Sequence, residues 1–204
     1  EANRFSKYAG TFAFGWRIIL TTGTGSIFGF LVAREAYATA ILAPLFIVMS
    51  LLYGTAVYYL ILKIISKFHN TYISDDIVKN LRKLTIMFLF ANLYFLFLYH
   101  ITNMYIAKHL DYEIFILSSG GIYTIAFWVG QLFVGIIIPI ILMSSSRLSL
   151  EYSLILSSVL MLTGSFIAMY VIIIGGQAYP LTIFPGHVII ESSLYDNVVH
   201  SYIP

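Results

Sequence analysis

Cysteine is absent from this chain, and charge is scarce: Asp, Glu, Lys and Arg make up 10% of 204 residues. The first absence excludes a disulfide framework, a thiolate iron–sulfur site and a cysteine zinc site. Any iron–sulfur chemistry must belong to a partner. The second excludes a soluble globule, because soluble domains carry about 25% charged residues. With 60% hydrophobic residues and a mean hydropathy of +0.91, the composition specifies an integral membrane protein. The net charge of +2 creates no field that would draw nucleic acid.

What is present are long apolar runs separated by charge. Five reach the roughly 20 helical residues that cross a hydrocarbon core. Spans are expected over about 8–33, 36–62, 84–107, 120–146 and 152–176, the fourth inside a charge-free run from Ile114. Continuous rather than alternating apolarity favours helices over barrel strands. The expected fold is therefore an all-α membrane bundle of about five transmembrane helices over 1–176, with an extended outer tail over 177–204. The single obvious polar linker is 66–80, where Ser74-Asp75-Asp76 reads as a helix start. Gly25, Gly29 and Ala33 give the first span a face of small residues suited to close packing.

Lys and Arg orient the bundle. With the N-terminus inside, the inner flanks hold Arg4, Lys7, Lys63, Lys67, Lys79, Arg82, Lys83 and Arg147, and the outer flanks only Arg34 and Lys108. This is the asymmetry of cytoplasmic loops. It places the 108–121 loop, with Asp111 and Glu113, and the tail from Gln177 on the outside of a cytoplasmic membrane.

Polar groups inside the spans are the candidates for chemistry. Asn92, His100 and Asn103 stand at i, i+8 and i+11 on one face of the third span. Gln131 follows Trp128 by three residues on the fourth. For Asn92 and Gln131, interhelical hydrogen bonding is an equal alternative. Arg17 is the one charge within a span and suits snorkelling or pairing better than catalysis. Of the histidines only His100 lies in a span, so no bis-histidine haem and no metal site is expected. Gly120-Gly121 and Gly175-Gly176 read as helix-end signals.

Several stretches carry a family resemblance. They are "YVIIIGGQAYPLTIFPG" followed by "HSYIP", "FWVGQLFVGIIIPIILM" (127–143) and "GSIFGFLVAREAYATAILAPLFIVMSLLYGTA" (25–56). In order and spacing they resemble the NrfD/PsrC superfamily of polysulfide-reductase-type membrane subunits, and within it the DsrP and HybB-like branch. The chain departs from that pattern at Thr21-Thr22, where relatives often carry a histidine, and at Met169-Tyr170, where they often carry an arginine.

The resemblance implies the second half of a longer, two-bundle protein in a prokaryotic respiratory complex. Such a subunit exchanges electrons between menaquinone or another quinone and an outer-face ferredoxin-like iron–sulfur subunit, beside other membrane and haem-bearing subunits, without a haem or metal of its own. A quinone site needs an apolar slot, hydrogen-bond partners for the oxygens and a group that moves protons. The candidates for that site are His100, Asn103, Gln177, Tyr179 and His187. Arg17, Asn92, Gln131, Asp111 and Glu113 are candidates for a proton path. The alternatives are an anchoring and docking subunit without its own quinone site, and a proton-translocating subunit.

Overall fold

The computed structural model describes residues 2–145 and 149–179, with side chains from residue 5. Arg147, His187 and the tail from residue 180 lie outside the described residues. No strand occurs among those described. Helix α1 runs Ala2–Gly29, α2 Leu42–His69 and α3 Asp75–Tyr105. A 3₁₀ turn, Ala107–His109, leads to the short α4, Leu110–Ile114, which a π turn extends over Phe115–Ser119. Helix α5 covers Ile122–Ser144 and α6 covers Leu150–Ala178.

Among the described residues four helices, α2, α3, α5 and α6, are long and apolar enough to cross a bilayer. The fifth expected span, α1, has the length, about 42 Å for 28 residues. Arg17 and the run Thr21 to Ser26 lower its hydropathy. The fold is thus the expected all-helical membrane bundle.

Helical periodicity explains the core. Buried Leu42, Leu45, Met49, Leu52, Ala56 and Tyr59 recur every three or four residues along α2. Leu89, Asn92, Leu96, Tyr99 and Asn103 do the same along α3. Helix α6 buries mostly small groups, Ser157, Ser158, Gly164, Ser165 and Ala168, and so approaches its neighbours closely. At Gly135 of α5 an added Cβ would stand 3.0 Å from Gly164 Cα, so the two backbones touch there.

Termini follow local chemistry. Ser74 precedes α3, and Asp75 and Asp76 occupy its first turn, where the helix dipole favours negative charge. Asn70 ends α2 in the left-handed conformation, φ 48°. Gly121, at φ 57°, makes the break before α5. Within α5, Ala126–Ile137 is wound as π-helix and returns to α-helix at Ile138, next to Pro139.

Gly175 and Gly176 depart from the helix-end reading. Both have right-handed helical dihedrals, and the helix continues to Ala178. Space explains them: a Cβ on Gly176 would meet the Tyr37 hydroxyl at 2.7 Å, and one on Gly175 would crowd Ile116 and Tyr123.

Two charged contacts fasten one end of the bundle. Lys63 of α2 pairs with Glu151 of α6 at 2.5 Å, and Arg82 of α3 donates to the Met143 carbonyl. At the opposite end the α1–α2 connector is tied down by its neighbours. Tyr99 donates to the Ala36 carbonyl and Tyr37 to the Ile173 carbonyl, both at 2.7 Å. Arg34 donates to the carbonyls of Gln177 and Tyr179. That closed end holds the candidate site.

Candidate functional site

The last two turns of α3 place His100 and Asn103 on the core side, and α4 folds back over them. Glu113 of α4 is 1% exposed. Its two oxygens take separate donors: His100 Nδ1 on Oε2 at 2.7 Å, and Asn103 Nδ2 on Oε1 at 2.8 Å. His109 Nδ1 meets the Asn103 carbonyl oxygen at 3.3 Å. The four side chains form one chain of contacts, His109–Asn103–Glu113–His100, at a single end of the bundle.

Taking Glu113 as ionised assigns the hydrogen in the His100 contact. Glu113, as a carboxylate, can only accept. The shared hydrogen is therefore on Nδ1, and in a neutral imidazole Nε2 keeps its lone pair. That Nε2 is buried and has no partner. A buried polar atom without a hydrogen bond is uncommon and costs about 1–3 kcal/mol. Gln131 Oε1, on the π-wound part of α5, is buried and unpartnered as well.

His100 and Gln131 line the same cleft between α3, α5 and α6, with Tyr99, Tyr112, Phe127 and Leu45 among its walls. Phe127 stands edge-on to the His100 ring at a centroid distance of 4.7 Å, and Tyr99 at 5.1 Å. The enclosed space is about 10 Å³. That holds roughly one water, so a ring could enter only after Phe127 or a neighbour rotates. Burial raises the Tyr112 phenol well above its ordinary range, with Tyr99 and Glu113 adding to the effect, so it stays protonated.

The other sequence candidates are dispersed. Tyr179 stacks edge-on to Tyr112 at 5.7 Å and tilts over Phe115 at 5.6 Å, behind the cleft wall. Gln177 and Asp111 are exposed. Asn92 is buried with Oδ1 unpartnered, two turns along α3 from His100. Arg17 lies on α1, bonded to Ser50. The sequence does not single out His109, Tyr99, Tyr112 or Phe127. His109 has no periodic signal, since it lies beyond the end of α3 and six residues from Asn103, and its burial depends on the fold-back of α4. Among the described residues no three His, Asp or Glu side chains are arranged to hold a metal ion.

An all-helical membrane bundle with a buried His–Glu pair at one end defines the class: an integral membrane protein with a polar site under its surface. The chain belongs to the NrfD family, described as polysulphide reductase, whose profile matches residues 1–180. Over its full length it is also 24% identical to the Hdr-like menaquinol oxidoreductase integral membrane subunit of Archaeoglobus fulgidus. The chain spans about half of that relative, 52% of its length. No solved structure matches it.

Proposed function

We propose that this chain is the quinone-reactive part of a membrane redox complex, and that its site oxidises a quinol at the outer face of a prokaryotic cytoplasmic membrane. The observation that carries this reading is the pair of unpartnered acceptors in one cleft, His100 Nε2 and Gln131 Oε1. Two acceptors match the hydroxyl donors of a quinol. A quinone carbonyl is itself an acceptor and would need the Gln131 amide turned to present its N–H.

In this mechanism a quinol hydroxyl donates to His100 Nε2. As two electrons leave for an outer-face iron–sulfur partner, the quinol loses two protons and becomes quinone. Nε2 takes one of those protons, and the second leaves to water at the outer face. Glu113, held by Asn103, orients the imidazole and stabilises the imidazolium that results, as the carboxylate does in a catalytic triad. Phe127, Tyr99 and Leu45 supply the apolar walls. Tyr179 braces Tyr112, so its expected role becomes support of the wall. The positive-inside asymmetry supports the orientation. The name of the archaeal relative supports menaquinol as the substrate.

The tightness of the cleft favours a second reading, in which this chain anchors a partner and the quinol site lies elsewhere in the complex. Turnover of the assembled complex with a soluble quinol separates the two. His100→Gln removes the proton acceptor and lowers quinol-linked turnover by roughly 100-fold or more, the scale of a lost general base. Unchanged turnover in His100→Gln and Gln131→Leu would leave only the anchoring role.

A further inference from the structure

Arg17 stands where an arginine is costly. It lies ten residues from Lys7 and twelve from Gly29, about 15 and 18 Å along α1. Placed across a core of roughly 30 Å, as the sequence expects of this span, α1 carries this charge near mid-depth. Snorkelling serves cations near helix ends, not at the centre. The Nε of Arg17 donates to the Ser50 hydroxyl of α2 at 3.2 Å. Among the described residues no carboxylate lies within 4 Å of the guanidinium. The guanidinium has five N–H donors, far more than a single hydroxyl can satisfy.

A small surface depression of about 10 Å³ lies beside the guanidinium. Phe14, Arg17 and Thr21 of α1 and Ile47, Ser50 and Leu51 of α2 line it. Gly10, Arg17 and Thr24 follow one another at seven-residue steps along this flank of α1, and a Cβ on Gly10 would touch nothing. A small residue on that line permits close approach of another backbone. Phe5, Phe12, Ile19 and Leu20 continue the exposed apolar surface on either side.

We propose that this flank of α1 and α2 receives a transmembrane helix of another segment or subunit of the complex, and that this helix carries an aspartate or glutamate at mid-membrane depth to pair with Arg17. Charge complementarity decides the occupant. Lipid tails offer the guanidinium no acceptor. A second copy of this chain does not supply the acid from its described residues: Glu35, Asp75, Asp76, Asp111, Glu113 and Glu151 all lie in connectors, in the short α4 or in the first two residues of a helix. The inference is independent of the quinol site, which is on the other side of α2.

The test is photocrosslinking in the assembled complex, in native membranes, with a benzophenone amino acid at Phe14. The expected product joins α1 to one helix, and peptide mapping places an Asp or Glu at mid-span of that helix. Arg17→Gln lowers the crosslink yield several-fold and Arg17→Lys keeps part of it. Exchanging the charges, Arg17→Glu with the mapped acid changed to Arg, restores it. Crosslinks confined to lipid, to a second copy of this chain or to a helix without an acid overturn the proposal. An unchanged yield in Arg17→Gln does so too.

Discussion

At the scale of residues, the proposed chemistry rests on one carboxylate serving two donors. Glu113→Gln keeps the shape but replaces one acceptor oxygen with an N–H donor, so the imidazole loses its orienting partner. Quinol-linked turnover is expected to fall by roughly 100-fold while the complex still assembles; turnover within a few-fold of the parent contradicts the role. Asn103→Leu strands the Glu113 Oε1 and the His109 Nδ1 together. Loss of stability by about 2–4 kcal/mol is expected from two stranded buried groups, read by thermal unfolding in detergent. His109 gives a pH dependence with a definite sign. Burial, the largest cause, lowers its pKa, Lys108 reinforces this, and Glu35 and Glu113 oppose it. The unfolded chain then binds a proton that the folded chain declines, so stability falls as the pH drops below about 6.5. His109→Gln should flatten that fall, and an equal slope in both proteins would show that His109 stays charged when folded.

At the scale of elements, much is legible in the sequence. Apolar run length marks α2, α3, α5 and α6, and Ser74-Asp75-Asp76 marks the start of α3, because helix propagation and the pull of a helix N-terminus on acids are local. The His100–Asn103 face is legible too, since a 3.6-residue period puts both on one side. Its partner is not. Glu113 comes to His100 only because Ala107–Ile114 folds back over the bundle, a tertiary event with no local signature. The double glycine reads as a stop, and it is a contact: the neighbour that demands it, Tyr37, lies at the other end of the sequence. The Gly135–Gly164 contact makes the same point and gives a test. Gly164→Ala places a methyl against the Gly135 backbone, where no flexible side chain can yield. A loss of about 1–3 kcal/mol is expected from such overpacking, whereas Gly23→Ala, facing open space, should cost nothing measurable in the same assay.

At the scale of the whole molecule, four apolar helices enclose a polar site at the end opposite the Lys63–Glu151 pair, and α1 leans on α2 with the Arg17 charge beside it. So few charges make the membrane class evident from composition alone. The assembly is less legible, because partners act through surfaces, and a surface is recognised only when the fold shows which faces are already covered. At the centre of the proposed function, a quinol reaches the cleft between His100 and Gln131. The most direct measurement is photoaffinity labelling of the assembled complex with an azido-menaquinone, mapped by peptide mass spectrometry. Label is expected on the cleft-bearing segments of α3 and α5, around His100 and Phe127, diminished in His100→Gln and displaced by excess menaquinol. Label confined to other segments or subunits, with none in these two helices, would contradict the quinol site.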